Sequence, residues 1–253
     1  MPLNANDRQR YGRQLLLPEV GEAGQIRIAA SRVLVVGAGG LGSPAALYLA
    51  AAGIGTLALA DGDRLELSNL HRQILYRTSD CGGYKAERGS EALFALNPTI
   101  EIEPLITHLQ GEALRQQVGQ ADVVLDCSDN LATRHAVSSA CVEARKPLVS
   151  AAAVAWDGQL MFFDHRRGQG PCYHCLYPAG GAEPAHTCAT HGVIGPLLGV
   201  LGAQQALMAV QVVLGFALTP SLQLFDGRSG RWQRFEITAR SDCAVCGAGA
   251  AGN

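Results

Sequence analysis

The chain has 253 residues, of which 48% are hydrophobic and 17% are charged, and its formal net charge is −2. This length and hydrophobic content are sufficient for the core of one large domain, with or without a small appendage. The near-neutral charge and the absence of a basic run exclude the electrostatic surface typical of nucleic-acid-binding proteins, so no nucleic-acid partner is expected.

The first thirty residues have a helical pattern, in which arginines precede the apolar residues 15–17. Because this polar segment lacks the apolar core of a signal peptide, it predicts a cytoplasmic protein. In that compartment the eight cysteines are expected to be thiols or metal ligands and not disulfides. Arg13, taken alone, is most simply interpreted as part of a solvated basic face beside a helix.

Residues 31–61 predict a βαβ unit that binds a nucleotide. An apolar, β-branched run at residues 33–36 is typical of a buried parallel strand, and an Ala/Leu-rich helical segment follows it. Between the two lies a glycine turn with the spacing GxGxxG: Gly37, Gly39, Gly40 and Gly42. These glycines would let a phosphate approach the backbone at the helix N-terminus, and Asp61, after a second strand, could accept from ribose hydroxyls. The alternative is a tight turn with only a structural role.

A polar loop follows Asp61, at the point where a dehydrogenase usually continues with a helix. The loop contains Asn69 and Arg72, and Lys85 comes at the start of the next predicted helix. Cations beside a nucleotide site suit a triphosphate better than a pyrophosphate, because the β- and γ-phosphates add charge that needs neutralisation. Each cation, taken singly, could instead form a surface salt bridge.

The middle of the chain continues the alternation of strands and helices. Helices are predicted at residues 87–96, 112–118 and 131–144, and strands at 100–106, 122–126, from 147 onward and at 158–163. Asp129 follows the strand at 122–126, at the edge where open α/β sheets bind ligands, and could hold Mg²⁺. The alternative is that Ser128 or Asp129 only caps the next helix.

Two CxxC pairs predict a metal site. Each pair can supply two thiolates to a tetrahedral ion, and 67 residues separate the pairs, so a zinc ion would join a loop after the sheet to the C-terminal tail. The four ligands are Cys172, Cys175, Cys243 and Cys246. A redox function is the alternative, but it needs one pair at a helix start and not two remote pairs. Cys81, Cys127 and Cys141 are expected to be ordinary small residues.

Cys188 lies in a polar loop just before a predicted helix, between His186 and His191. A helix N-terminus lowers the pKa of a thiol and favours a reactive thiolate, so Cys188 is a candidate nucleophile. The alternative is an idle thiol. If Cys188 is idle, Cys127, near the edge of a strand, is the next candidate.

Residues 192–218 are strongly apolar and have the length of a membrane span. Three glutamines, a proline and several glycines, without a basic flank, favour instead a helix packed between the sheet and a second subunit. No membrane partner is therefore expected. Strands are predicted at residues 222–225 and 232–237, the second with the alternation of an antiparallel strand.

Together these motifs resemble the sulfur-carrier adenylyltransferases, a family that includes bacterial enzymes of thiamine and molybdopterin synthesis and the adenylation domains of ubiquitin-activating enzymes. The resemblance covers about residues 7–247. It is carried by the glycine turn, residues 68–73, Lys85, residues 129–130 and the two CxxC pairs. The chain is more similar to the thiamine branch than to the molybdopterin branch. It departs from the family pattern at His71, where bacterial members have glutamine.

The resemblance implies a homodimer that binds ATP with Mg²⁺ and adenylates a small ubiquitin-like sulfur-carrier protein ending in Gly-Gly. It implies that Arg13 reaches the ATP of the partner subunit, that Asp129 holds the metal, and that Cys188 bonds covalently to the carrier. The other residues it places at ATP are Gly37, Gly39, Gly40, Gly42, Asp61, Asp63, Ser68, Asn69, Arg72, Lys85 and Asn130. Since no rhodanese domain follows the second CxxC pair, sulfur would come from a separate cysteine desulfurase or rhodanese-type protein.

The sequence therefore predicts an α/β, Rossmann-like fold: a mostly parallel sheet with helices on both faces, antiparallel C-terminal strands and a zinc-stapled tail. Residues 1–247 are expected to form one ThiF-type adenylation domain, and residues 248–253 a flexible tail. The predicted reaction adenylates the carrier's C-terminal glycine, releases pyrophosphate and prepares a thiocarboxylate for thiamine thiazole biosynthesis. The alternatives are the same reaction on the molybdopterin-synthase carrier, an NAD-dependent oxidoreductase, and an inactive zinc-stapled scaffold.

Overall fold

The structure is a computed structural model that describes residues 3–168, 170–178 and 191–247. The strands in these residues are β1 (Arg32–Val36), β2 (Thr56–Ala60), β3 (Glu101–Leu105), β4 (Val123–Asp126), β5 (Leu148–Val154), β6 (Asp157–Phe163), β7 (Ser221–Asp226) and β8 (Arg231–Glu236). The helices are α1 (Ala5–Arg10), α2 (Gly12–Leu15), α3 (Gly21–Ala30), α4 (Gly42–Ala52), α5 (Lys85–Leu96), α6 (Gly111–Gln120), α7 (Leu131–Glu143), α8 (Tyr173–Leu176) and α9 (Gly195–Leu214). Short 3₁₀ helices lie at Leu67–Asn69 and Thr78–Asp80.

The eight strands form one mixed sheet in the order β3-β2-β1-β4-β5-β6-β7-β8. The pairs from β3 to β5 are parallel, and the pairs from β5 to β8 are antiparallel. The chain runs outward from β1 in one direction through β2 and β3, and then continues on the other side of β1 with β4. The predicted fold class is confirmed, and a topological switch point lies between β1 and β4, where open α/β sheets bind ligands.

The two faces of the sheet bury separate cores. Along β1, Val33 and Val35 face one cluster, which contains apolar residues of α3, α4, α5 and α9, while Leu34 and Val36 face a second cluster with residues of α6 and α7. The strand is therefore apolar on both faces, which explains its continuous run of valine and leucine. Helices cover both faces, as the sequence predicts.

Helix α9 accounts for the long apolar segment. It packs against α4 and on strands β4, β5 and β6, and about half of its residues are buried within the described chain. Its length and composition alone would also suit a membrane span. Val200 and Leu207 are exposed on this helix. The second subunit that was expected on its outer side stays a prediction.

The C-terminal hairpin of β7 and β8 extends the sheet, and all six residues of β8 are exposed. Trp232 stacks on Phe225 across the hairpin, with ring centroids 4.6 Å apart. The strands predicted at residues 222–225 and 232–237 are thus present with bounds shifted by one residue or so. The tail at residues 248–253 lies outside the described residues.

Candidate functional site

The glycine turn lies at the carboxyl end of β1, next to the carboxyl end of β4. Gly37 has a φ of +96°, a left-handed conformation that side chains other than glycine rarely adopt, and a Cβ atom there would meet the carbonyl oxygen of Cys127 at 2.8 Å. At Gly42, the first residue of α4, a Cβ atom would overlap the carbonyl oxygen of Gly37. Packing alone therefore requires glycine at positions 37 and 42, whether or not a ligand binds at the turn.

Asp61, at the end of β2, holds the turn by hydrogen bonds. Its Oδ2 accepts from the backbone N–H of Ala38 and its Oδ1 from that of Asp63, both at 2.8 Å. Burial raises the pKa of Asp61, and the positive charge of Lys85 opposes that shift. Each carboxylate oxygen keeps a further lone pair. The predicted ribose contact stays a prediction.

Lys85 is the first residue of α5, as the sequence predicts, and its side chain is only 9% exposed. Its Nζ donates to Oδ2 of Asp63 at 2.8 Å, and its backbone N–H donates to the carbonyl oxygen of Asp63 at 2.9 Å. Nε2 of His108 lies 3.4 Å from the other oxygen of Asp63. The loop after β2 therefore brings a buried ammonium group to the edge of the sheet that carries the glycine turn.

Arg72 lies in the same loop, and its Cγ is 3.4 Å from the position that a Cβ atom would take at Gly40. Its Nη1 donates to the carbonyl oxygen of Ser68 at 3.0 Å and lies 2.9 Å from Nε2 of His71. Oδ1 of Asn69 accepts from the N–H of Glu66, and the Ser68 hydroxyl donates to the Glu66 carboxylate. A cleft of about 190 Å³ opens here, lined by Pro44, His71, Arg72, Ile74, Gly195, Pro196 and Gly199.

The loop after β4 holds Asp129, which is exposed. Among the described residues its carboxylate makes no hydrogen bond or ion pair, so it is free to take a ligand. The helix-capping alternative for Ser128 or Asp129 is wrong, because the side chain of Asn130 accepts from the N–H of Thr133 and caps α7. The hydroxyl of Ser128 donates instead to Asp126, at 2.6 Å.

A buried polar network behind this loop has no counterpart in the sequence-based predictions. Asp126 is fully buried and accepts hydrogen bonds from the hydroxyls of Ser128 and Ser150 at 2.6 and 2.7 Å. From α9, Gln205 donates to the carbonyl oxygen of Asp126 and accepts from the thiol of Cys127. Cys127 is buried, and this burial raises the pKa of its thiol well above the usual value. The structure therefore does not favour Cys127 as the second candidate nucleophile.

Tyr76 is a further residue that the sequence-based predictions miss. It is buried in the loop between β2 and α5, and its hydroxyl reaches the carbonyl oxygens of Ala38 at 2.7 Å and Lys85 at 3.2 Å. A single tyrosine in a polar loop belongs to no periodic pattern. The two atoms that its hydroxyl contacts are backbone oxygens, whose position does not depend on residue type. The sequence therefore offers no signal for it.

Arg13 is not brought to these residues within its own chain. It is exposed on α2, and the neighbouring Gln14 donates to the carbonyl oxygen of Ala52, at the C-terminal end of α4. The glycine turn is at the other end of that helix, about 16 Å away at 1.5 Å per residue. Cys188 lies outside the described residues.

The two CxxC pairs do come together. The four sulfur atoms lie within 4.8 Å of one another, with Cys172 and Cys243 3.7 Å apart and Cys175 and Cys246 3.4 Å apart. Four sulfurs placed tetrahedrally about 2.3 Å from a zinc ion would be separated by roughly 3.8 Å. Burial raises the pKa of Cys172, and a bound cation would oppose that effect. The donor set and its spacing therefore fit a structural zinc ion.

Comparisons with known proteins agree with this geometry. The sequence matches the profile of the ThiF family over residues 11–247. The sulfur carrier protein ThiS adenylyltransferase of Escherichia coli is 48% identical over 247 residues, with 97% of each chain covered. The adenylyltransferase and sulfurtransferase MOCS3 of Drosophila yakuba is also 48% identical, but this chain spans only 55% of its length.

A solved structure of E. coli MccB with ATP has a TM-score of 0.80 to this chain at 20% identity. The match covers 96% of this chain and 75% of MccB. At that identity the likeness concerns the fold alone. It agrees with the Rossmann-like sheet described above.

Proposed function

The chain belongs to the ThiF family, and on that premise we propose that it adenylates the C-terminal glycine of a small ubiquitin-like sulfur carrier with ATP. The name of the E. coli relative, which matches over nearly the whole of both chains, supports this substrate class and favours a carrier of the ThiS type. We therefore favour thiamine thiazole biosynthesis as the pathway. The enzyme class is a nucleotidyltransferase that acts on a carrier protein.

One observation carries the proposal: the buried ammonium of Lys85 lies at the same sheet edge as the glycine turn, and the exposed carboxylate of Asp129 follows β4 at that edge. Helix N-termini and free N–H groups bind phosphate, and a carboxylate binds Mg²⁺. A dinucleotide-dependent dehydrogenase would need neither group. The oxidoreductase alternative leaves both without a function.

In the proposed reaction, a carboxylate oxygen of the carrier's terminal glycine attacks the α-phosphorus of ATP. A new P–O bond forms, the bond between the α-phosphorus and the bridging oxygen breaks, and pyrophosphate leaves with that electron pair. The products are a carboxyl-AMP anhydride and pyrophosphate. The protein supplies mainly positioning and charge stabilisation, as is usual in phosphoryl and nucleotidyl transfer.

Each predicted residue has a place in this scheme. Arg72 and Lys85, with Arg13 of a partner subunit, would offset phosphate charge, while Asn69 would contact phosphate and Asp61 the ribose. Asp129 would hold Mg²⁺, which neutralises developing charge on the phosphates when bound. The remaining residues proposed at ATP are Gly37, Gly39, Gly40, Gly42, Asp63, Ser68 and Asn130.

Sulfur transfer completes the proposal. The thiolate of Cys188 would attack the outer sulfur of a cysteine persulfide on a desulfurase or rhodanese-type donor; a new S–S bond forms, the donor's S–S bond breaks, and the donor leaves as a thiolate. The terminal sulfur of the resulting Cys188 persulfide would attack the acyl carbon of the adenylate, expel AMP and leave an acyl disulfide between Cys188 and the carrier. Zinc at the four cysteines would stabilise the fold and take no part in these steps.

We further propose that residues 1–247 act as one adenylation domain and that the enzyme is a cytoplasmic homodimer. The position of Arg13 supports the dimer, since it lies far from the glycine turn of its own chain. The exposed side chains of Val200 and Leu207 on α9 offer an apolar surface for a second subunit.

The test is an ATP–pyrophosphate exchange assay with Mg²⁺ and a purified carrier ending in Gly-Gly. We expect exchange with a ThiS-type carrier, and none with a carrier that lacks the terminal glycine. The MOCS3 relative gives a reason to run a molybdopterin-synthase carrier in parallel. Faster exchange with that carrier would assign the enzyme to molybdopterin synthesis instead. No exchange with either carrier would favour an inactive scaffold.

A further inference from the structure

The hydroxyl of Tyr76 connects two walls of the candidate site. One partner, the carbonyl oxygen of Ala38, belongs to the glycine turn, and the other, that of Lys85, belongs to the first residue of α5. The tyrosine is 4% exposed, so water does not readily replace either contact. A single side chain thus reaches the turn that would hold the phosphates and the residue that would neutralise them.

These contacts belong to a ring of residues linked by hydrogen bonds, in which the two carbonyl oxygens share the single hydroxyl proton of Tyr76. From Ala38 the ring passes through its N–H to Asp61, and from Asp61 to the N–H of Asp63. It continues from the carboxylate of Asp63 to Nζ of Lys85 and returns to Ala38 through Tyr76. Except for Tyr76, every side chain in the ring is one that the proposed function places at the nucleotide.

We propose that Tyr76 is a positioning residue, which fixes the distance between the glycine turn and Lys85 and thereby favours a triphosphate over a monophosphate. This inference rests on the proposed function. Tyr76 acts through Lys85 and does not itself touch the nucleotide. Lys85 would contact the β- and γ-phosphates. A displaced Lys85 therefore weakens the binding of ATP, whereas the binding of AMP, which lacks those phosphates, is nearly unaffected.

A purely structural role would have a different signature. Loss of one buried hydroxyl lowers the stability of the fold. If that were its only effect, the affinities for ATP and AMP would fall by the same factor or stay unchanged. Tyr11 provides the matched control, because it is also buried and its hydroxyl accepts from Nδ2 of Asn97 at 2.9 Å. Tyr11 packs against Gly53, at the end of α4 away from the glycine turn.

The experiment is calorimetric titration of the full chain with ATP and with AMP, both with Mg²⁺, for the wild type, Tyr76→Phe and Tyr11→Phe. Tyr76→Phe is expected to weaken ATP binding about tenfold, because a displaced Lys85 ammonium loses part of its charge-assisted contact with the phosphates, and to weaken AMP binding less than about threefold. Tyr11→Phe should leave the ratio of ATP affinity to AMP affinity unchanged. If Tyr76→Phe lowers the affinities for ATP and AMP by the same factor, the inference is overturned.

A double-mutant cycle with Lys85→Met tests whether Tyr76 acts through the lysine. In the Lys85→Met background, Tyr76→Phe should weaken ATP binding by less than about twofold, because its effect has already been lost. Full additivity would overturn the inference even if the single variants behave as expected. If the wild type itself does not prefer ATP to AMP, the proposed function fails; if it does and the cycle is additive, only the role of Tyr76 fails.

Discussion

The ammonium of Lys85 lies 2.8 Å from a carboxylate oxygen of Asp63, which itself is about half exposed. The pair is asymmetric, since the cation is buried and its partner faces solvent. Under the proposed function, the phosphates of ATP would take over the ammonium from a carboxylate that is already in contact with solvent. A buried lysine whose partner is exposed is suited to exchange one anion for another.

Lys85→Ala is expected to lower the rate of ATP–pyrophosphate exchange by about 10²–10³-fold, as removal of one charge-stabilising donor does at other sites. The control is Arg88→Ala, on the same helix, since Arg88 pairs with Glu91 at the surface. That variant should exchange at nearly the wild-type rate. Similar losses in both variants would indicate damage to α5 and not loss of charge stabilisation.

Arg13→Ala is expected to lower exchange by roughly 10³-fold if it acts in trans on phosphate charge, as other arginines do. Mixing it with Lys85→Ala under conditions of subunit exchange should restore part of the activity. One site in each mixed dimer would then hold both intact residues. Arg10→Ala, which changes a neighbouring exposed arginine bonded to the carbonyl oxygen of Leu96, is the control. If mixing restores nothing, Arg13 does not act across subunits.

Cys243→Ser is expected to abolish the binding of one zinc ion per chain. With free zinc at 100 times its Kd for the wild type, the metal stabilises the folded state by about 2.7 kcal/mol, so the free energy of unfolding should fall by about that amount in the variant. Metal analysis and urea titration measure the two effects. Cys81→Ser, which changes an exposed cysteine outside the cluster, should keep the metal. Wild-type protein without zinc would refute the metal assignment.

Cys188→Ser is expected to keep ATP–pyrophosphate exchange within about tenfold, roughly 1.4 kcal/mol of barrier, because adenylation needs charge and metal but no thiol. The same variant should lose any reducible covalent link to the carrier, as judged by non-reducing gels. A much larger fall in exchange would give Cys188 a part in adenylation. A persisting link would direct attention to Cys81, which is exposed, and not to the buried Cys127.

His165 is expected to make stability depend on pH. It is buried beside Phe163, its Nε2 has no partner among the described residues, and burial lowers its pKa to about 4. Since the unfolded chain binds the proton below about pH 6.5 and the folded chain does not, stability falls as the pH falls from 6.5 toward 4.

Between pH 7 and pH 5 the wild type should therefore lose about 2 kcal/mol more than His165→Gln does, measured by urea unfolding. His108→Gln, which changes an exposed histidine, is the matched control and should follow the wild type. If the free energy of unfolding changes with pH in the same way for the wild type and His165→Gln, His165 does not cause the pH dependence.

Elements with a strong local pattern were predictable from the sequence, and contacts made between distant segments were not. The strand at residues 33–36 and the start of α5 at Lys85 follow from apolar runs and their polar boundaries. The cap of α7 could not be chosen from the sequence, because Ser128, Asp129 and Asn130 can all cap a helix and only the backbone geometry selects Asn130. The link between Tyr76 and Ala38 joins residues 38 positions apart through a backbone oxygen, which no side-chain pattern encodes.

The crowding around the glycine turn also determines how a genetic screen of this protein should be interpreted. Inactive alleles at Gly37 and Gly42 report folding failure, because a side chain at either position collides with the protein's own backbone. At Gly39 the nearest atom to an added Cβ is the amide nitrogen of Gln73, at an ordinary 3.6 Å. Inactive alleles there, in protein that accumulates normally, would support the proposal that the nucleotide contacts this turn.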